Sequence, residues 1–189
     1  MVKRKTCVFI SGTGSNLNNL IFRSRDKSFP IKISLVICDN IKAKGINFAK
    51  KFKIPYVIIN TKHNNCENKI LLSLKKYKIS FICLAGYMKI ISKKITNGFE
   101  KRIINIHPSL LPKFKGLNTF SRILKNKEKK TGCTAHFVNS KLDDGKIIVQ
   151  KYFYLTSSDT EIELKKKTQA LEYKAYPEAI IKVFRNFNF

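Results

Sequence analysis

The chain has 189 residues, of which 38 are Lys or Arg and 12 are Asp or Glu, giving a formal net charge of +26. A hydrophobic fraction of 43% is ordinary for a folded protein and excludes wholesale disorder. No apolar run approaches the roughly 20 residues that a membrane-spanning helix needs. We therefore expect one domain over residues 1–189, with no membrane partner.

The cysteines argue against a disulfide framework and against a structural zinc site. Their number is odd, and no two of them lie at Cys-x-x-Cys spacing. Most lie in or beside apolar runs, where cysteine packs as a small hydrophobic residue. We expect a reducing, cytoplasmic location and no metal. The five are Cys7, Cys38, Cys66, Cys83 and Cys133.

Short apolar runs alternate with helical patterns through the first half of the chain. Leu17, Leu20 and Ile21 recur at helical spacing, and similar patterns follow around Ile46 and Ile70. This alternation is typical of an α/β fold, with a Rossmann-like, mostly parallel sheet covered by helices on both faces. The apolar runs are Thr6–Ser11, Ile31–Cys38, Tyr56–Ile59, Ser80–Ala85 and Ile103–Ile106.

The second half predicts a β-pair followed by a long helix. Thr134–Val138 and Lys146–Leu155 have strand character, and Asp143-Asp144-Gly145 supplies a turn between them. Ser158–Glu161 fits a capping box that opens the C-terminal helix. Pro177 predicts a kink or a restart within that helix, because proline has no N–H to donate.

A glycine-rich loop follows the first strand directly. Ser11-Gly12-Thr13-Gly14-Ser15-Asn16 would bring backbone N–H groups and a helix N-terminus close to an anion such as phosphate. The Lys-Ser/Thr pair of a Walker A loop is absent, and Leu17 stands where a dinucleotide loop has its third glycine. A monophosphate therefore fits best. The alternative is a tight turn in which Ser15 or Asn16 caps the helix.

Asn105 and His107 are two residues apart in a predicted strand, so their side chains point to the same face. They lie near the strand's carboxyl end, where open α/β sheets bind ligands. A lone histidine is more often a buried structural residue, but the paired asparagine favours a functional role. Nothing around His107 has the spacing of a metal site.

Asp143 and Asp144 are conspicuous in a chain with so few acidic residues. Either could be a plain turn former. A carboxylate beside His107 would instead orient the ring and raise its pKa by favouring the imidazolium. The spacing alone leaves the pairing of Asp143 with His107 open.

Four motifs, taken together, resemble the folate-dependent phosphoribosylglycinamide formyltransferases over about Thr6 to Ile181. The family transfers a formyl group from 10-formyltetrahydrofolate to the amine of 5-phosphoribosylglycinamide in de novo purine (IMP) biosynthesis. The motifs are Ser11-Gly12-x-Gly14-Ser15-Asn16-Leu17, Leu84-Ala85-Gly86-Tyr87-Met88-Lys89-Ile90, Asn105-Ile106-His107-Pro108-Ser109-Leu110-Leu111-Pro112 and Leu142-Asp143-x-Gly145.

The resemblance implies the formyltransferase fold, with a phosphate-binding half (1–100) and a catalytic and folate-binding half (101–189). It implies 10-formyltetrahydrofolate as co-substrate and no metal. Catalytic positions fall on Asn105, His107 and Asp143. Positions for the ribonucleotide fall on Gly14, Ser15, Asn16, Gln169, Ala170, Leu171 and Glu172. Positions for the folate fall on His63, Met88, Lys89, Ile90, Ile91, Asn105, Asn139, Ser140, Lys141, Leu142 and Asp143.

Three alternatives compete with this interpretation. A methionyl-tRNA formyltransferase would carry an RNA-binding domain after this one, and a formyltetrahydrofolate deformylase would carry a regulatory domain before it. A basic RNA-binding module would explain the charge, but the lysines are spread along the whole chain and arginine is scarce. We expect small-molecule substrates, no specific nucleic acid, and a monomer or homodimer.

Overall fold

A computed structural model describes residues 2–60 and 65–187 of the chain. Contacts divide it into two units, Met1–Ile104 and Asn105–Phe189. The strands are β1 (Arg4–Ile10), β2 (Ile31–Cys38), β3 (Tyr56–Ile58), β4 (Phe81–Leu84), β5 (Ile103–His107), β6 (Lys130–Phe137) and β7 (Ile147–Tyr154). The helices are α1 (Ser15–Ser24), α2 (Ile46–Lys51), α3 (Cys66–Lys76), α4 (Lys93–Gly98), α5 (Thr119–Lys125) and α6 (Glu161–Asn186).

Parallel strands form the first unit, in the order β3-β2-β1-β4. The residues 7–10 of β1 are completely buried, as are those at 35–38 of β2. Successive side chains of a strand point to opposite faces, so a run of buried residues means that both faces are covered. Helices α1 and α2 pack against β2. This confirms the predicted parallel α/β architecture.

In the second unit the strand order is β5-β6-β7, and β6 and β7 pair antiparallel. Helix α6 packs against both of them. Its buried residues include Leu164, Tyr176 and Ile180, which form the apolar face of the helix. Strand β5 begins at the end of the first unit, and its residues from Asn105 onward belong to the second.

The structure confirms the strand assignments β1–β5 and the first three helices. Helices α4 and α5 were not predicted, because each is only six or seven residues long and shows few apolar positions. Strand β6 begins at Lys130 rather than Thr134, since its early pairing with β7 involves polar residues and Gly132. Within residues 2–60 and 65–187, none of the helices combines the length and the apolar character that a membrane span requires.

Two details of the C-terminal helix differ from the prediction. Its capping box joins Thr160 to Glu163, not Ser158 to Glu161: Thr160 accepts from the backbone of Glu163, whose carboxylate accepts from the backbone of Thr160. The helix also continues through Pro177 without a restart. Pro177 is buried, so tertiary packing holds the segment helical although one backbone donor is missing.

The glycine loop is held by a close backbone approach between Gly14 and Gly45. Gly14 has φ 73°, a left-handed conformation, and a Cβ built on it would lie 2.5 Å from the Cα of Gly45. The backbone N–H of Gly45 donates to the carbonyl of Gly12 at 3.0 Å. Side chains at position 14 are therefore excluded by both sterics and backbone conformation.

We predict that Gly14→Ala destabilises the protein by at least about 1 kcal/mol. Alanine is strained in the left-handed conformation, and its Cβ would clash with the backbone of Gly45. Gly12→Ala is the matched control, since nothing lies within 4 Å of its added Cβ. Urea unfolding of both variants measures the difference. Equal midpoints would contradict the close-approach argument.

Candidate active site

The carboxylate of Asp143 contacts both polar side chains of β5, those of Asn105 and His107. An oxygen of Asp143, Oδ2, lies 3.3 Å from Nδ1 of His107. The other oxygen, Oδ1, accepts from the side-chain amide of Asn105 at 3.4 Å. The same-face placement of Asn105 and His107, and the pairing of His107 with Asp143, are therefore both present in the structure.

The loop between β6 and β7 presents this carboxylate. Asp143 itself has φ 46°, a left-handed conformation that aspartate tolerates better than most residues. The backbone N–H of Gly116 donates to its Oδ2 at 2.9 Å. Asp144, the next residue, forms an ion pair with Lys115 and lies exposed. The two neighbouring aspartates thus have different surroundings, and Asp143 alone faces the histidine.

The ring of His107 is fixed at both nitrogens. Its Nε2 donates to the carbonyl of Phe114 at 2.9 Å, since a carbonyl can only accept. Its Nδ1 faces Asp143. Both neighbours are acceptors, so the ring can satisfy both only when each nitrogen carries a proton. His107 is 5% exposed, and water cannot readily replace either partner.

The segment after His107 is braced from β6 and β7. The hydroxyl of Thr134 donates to the carbonyl of Ser109 at 2.6 Å and accepts from the backbone N–H of Leu111 at 3.0 Å. The amide of Gln150 donates to the carbonyl of Leu111 at 2.9 Å. The Leu111–Pro112 peptide bond within this segment is cis. These contacts hold the backbone that carries Phe114 and its carbonyl.

The expected rise in the pKa of His107 is wrong in direction. Burial is the largest influence and lowers the pKa of this ring below its ordinary value, although Asp143 and the carbonyl of Phe114 act to raise it. Desolvation penalises the imidazolium more than one nearby carboxylate stabilises it. The neutral ring is therefore favoured near neutral pH, and in that form only one of the two ring nitrogens carries a proton for its acceptor.

The carboxyl group of Asp143 behaves in the opposite way. Burial would raise its pKa, but the neighbouring side chain of His136, the backbone N–H of Gly116 and the ring of His107 together lower the pKa to about 2. Asp143 is consequently a carboxylate at any physiological pH.

His136 belongs to the same cluster, a placement the sequence did not predict. Its Nε2 lies 3.2 Å from Nδ2 of Asn105 and 3.6 Å from Oδ1 of Asp143. The residue is 2% exposed. His136 was unassigned because it lies within a strand, next to the last residue of β6, with no neighbouring motif to indicate a function.

In the first unit, the glycine loop opens α1 as expected. The N-cap position is Gly14, which has no side chain, so neither Ser15 nor Asn16 is the cap. The hydroxyl of Ser11 accepts from the backbone N–H of Met88 at 2.9 Å, which ties the loop to the segment after β4.

That segment lines a cavity of about 500 Å³. Met88 and Ile90 are 60% and 74% exposed, which argues against core packing for these two side chains, whereas Ile91 is buried. The lining residues are Cys66, Glu67, Ile70, Tyr87, Met88, Lys89, Ile90, Ile91, Ser92 and Ile95.

For the other predicted site residues among those described, the structure gives a location and an exposure but no contact that indicates a role. Residues 169–172 lie within α6, where Gln169 and Glu172 are half-buried one turn apart. Residues 139–142 form the exposed part of the loop that carries Asp143. His63 lies outside the described residues. Within 2–60 and 65–187, no group of three His, Cys, Asp or Glu residues is arranged to hold a metal ion.

Comparison with known proteins identifies the class. Residues 4–180 match the family model described as Formyl transferase, so the chain belongs to the formyl transferase family. It is 38% identical to the phosphoribosylglycinamide formyltransferase of Haemophilus influenzae, over 94% of this chain and 85% of that protein.

Two further relatives point the same way. The human trifunctional purine biosynthetic protein adenosine-3 is 37% identical over 94% of this chain, which spans 18% of that protein. The crystal structure of phosphoribosylglycinamide formyltransferase from Anaplasma phagocytophilum aligns with a TM-score of 0.89 and 36% identity. That alignment covers 98% of this chain and 89% of the other. The fold is therefore that of the formyltransferases.

We predict that His107 makes stability fall as the pH falls below about 6.5, its unfolded pKa. Its folded pKa is lower, so the unfolded state binds more protons in this window. The contribution is complete above that pH and is lost as the pH falls towards the folded pKa. Urea unfolding at pH 7 and about pH 5.5 should show a smaller loss for His107→Gln than for wild type. Identical losses would contradict the prediction.

Proposed function

We propose that Asn105, His107 and Asp143 are the catalytic residues of this enzyme. The chain transfers a formyl group from 10-formyltetrahydrofolate to the amine of 5-phosphoribosylglycinamide, a step of purine biosynthesis. The observation that supports these roles is the carboxylate of Asp143, which contacts both the amide of Asn105 and the ring of His107.

The reaction requires a hydrogen-bond donor and a proton carrier. The substrate amine attacks the formyl carbon, and negative charge develops on the formyl oxygen. The bond between that carbon and the folate nitrogen then breaks. One proton must leave the attacking nitrogen and one must reach the departing folate nitrogen, so no net proton is consumed.

Asn105 supplies the donor in this proposal. Its Nδ2 carries two hydrogens, one directed at His136 at 3.2 Å and one at Asp143 at 3.4 Å. The contact with Asp143 is longer than the usual 2.9–3.0 Å of an N–H···O bond and is weak. A formyl oxygen placed beside that hydrogen can share it with Asp143, while the contact with His136 keeps the amide in place.

His107 is the proton carrier. Because burial keeps the resting ring neutral, it can accept the proton released by the attacking amine. The imidazolium that forms has an acceptor waiting at each nitrogen, the carbonyl of Phe114 and the carboxylate of Asp143. It can then protonate the leaving folate nitrogen and return to the neutral state.

The substrate-binding roles follow from the family resemblance. Gly14, Ser15 and Asn16 bind the ribonucleotide phosphate, a role supported by their place at the N-terminus of α1. The exposed apolar side chains of Met88 and Ile90 line a folate pocket, a role supported by the cavity beside them. Ribonucleotide contacts also come from 169–172. Folate contacts also come from Lys89, Ile91, 139–142 and His63.

We also propose a location, an oligomeric state and a set of partners for the enzyme. The enzyme acts in the cytoplasm as a monomer or homodimer, without a specific nucleic-acid partner. Its net charge of +26 attracts the anionic substrates and speeds their encounter at low salt. Free cysteines throughout the described chain are compatible with a reducing compartment.

We predict that Asn105→Ala, His107→Ala and Asp143→Asn each lower kcat by about 10²–10³, the usual effect of losing a transition-state donor or its partner. Asp143→Asn should also lower the pKa that governs the acidic limb of the pH–rate profile, because the ring loses its stabilising carboxylate. Steady-state kinetics from about pH 5 to 9 measures both effects.

Asp144→Asn is the matched control, one residue away but paired with Lys115 at the surface. It should keep near-normal turnover and an unshifted profile. Normal turnover in Asn105→Ala or His107→Ala would remove that residue from the chemistry. An unshifted profile in Asp143→Asn would refute the pairing.

The substrate is tested by incubating the enzyme with 10-formyltetrahydrofolate and one of three acceptors: phosphoribosylglycinamide, charged initiator tRNA, or water alone. We expect formylation of the ribonucleotide only. Formylated tRNA would support the methionyl-tRNA formyltransferase alternative, and release of formate without an acceptor would indicate a deformylase.

A further inference from the structure

His136 is a buried histidine with a defined partner at each ring nitrogen. Its Nδ1 lies 2.7 Å from the carbonyl oxygen of Phe137. A carbonyl oxygen only accepts, so Nδ1 carries the proton. Its Nε2 lies 3.2 Å from Nδ2 of Asn105, an amide nitrogen that only donates. Oδ1 of Asp143 lies 3.6 Å from the same nitrogen, beyond hydrogen-bond distance. The two hydrogen-bond partners therefore fit the Nδ1–H tautomer, in which Nε2 is bare.

We propose that His136 is a positioning residue, which fixes the side-chain amide of Asn105 through this tautomer. An asparagine amide can turn by 180° and exchange its oxygen for its nitrogen with little change in shape. In the turned orientation, the amide oxygen would face the lone pair of Nε2 and the carboxylate of Asp143. Both contacts would then be repulsive, so the NH₂ group is held towards the cluster.

The orientation of the Asn105 amide depends on the tautomer of the His136 ring. If Nε2 carried the proton instead, Nδ1 would present a lone pair to the carbonyl of Phe137, and the amide oxygen of Asn105 would be favoured towards the ring. The carbonyl of Phe137 therefore determines which end of the Asn105 amide faces the reacting group. His136 acts on the chemistry only through Asn105, and its contribution rests on the catalytic role proposed for that residue.

The first arm of the test measures the ring directly and does not depend on activity. In ¹⁵N-resolved NMR of the wild-type protein at neutral pH, we expect Nδ1 of His136 to be protonated and Nε2 to be bare. Protonation at Nε2, in either the other tautomer or the doubly protonated ring, would overturn the proposal even if the enzyme's function is as stated.

The second arm separates positioning from a general structural role. His136→Leu cannot accept a hydrogen bond and should lower kcat by at least 10-fold with little change in KM, whereas His136→Gln places an amide oxygen near Nε2 and should restore part of the loss. In an Asn105→Ala background, His136→Leu should have no further effect on kcat.

Two kinetic outcomes would refute the proposal. One is wild-type kcat in His136→Leu. The other is an equal loss of kcat from His136→Leu in the presence and absence of the Asn105 side chain, which is the result expected of a purely structural residue. If Asn105→Ala itself were fully active, the proposed function of Asn105 would fail, while the NMR arm would still test the tautomer.

Discussion

The contact of one carboxylate with an imidazole and an amide is the interaction on which the proposed chemistry depends. Asp143 reaches His107 with one oxygen and Asn105 with the other. The backbone N–H of Gly116 and the two neighbouring histidines lower the pKa of Asp143 to about 2, which keeps its side chain ionised. A fixed negative charge therefore stands beside the ring whatever the ring's own protonation state.

Burial and pairing with a carboxylate shift the pKa of His107 in opposite directions, which suits the ring to its proposed role as proton carrier. Pairing with a carboxylate alone would hold the ring as an imidazolium, unable to accept a proton. Burial alone would keep the ring neutral and oppose its protonation. Here burial prevails at rest, but the acceptors needed by the imidazolium are already present at Phe114 and Asp143. The ring can thus be protonated transiently without rearranging its surroundings.

The sequence predicted those features that depend on local pattern. Period-two spacing placed Asn105 and His107 on one face, and apolar runs located the strands β1–β5. Residue spacing alone could not decide between Asp143 and Asp144, because that choice depends on the loop conformation and on Lys115, and only the family resemblance selected Asp143. It missed His136, which reaches the cluster only through strand pairing. It misjudged the pKa of His107, because burial is a property of the folded chain.

The most direct test of the central contact is an NMR titration of the His107 ring in wild type, Asp143→Asn and Asp144→Asn. If the carboxylate of Asp143 stabilises the imidazolium, the pKa of His107 falls further in Asp143→Asn and stays unchanged in Asp144→Asn. A His107 titration curve that is the same in all three proteins would contradict the account.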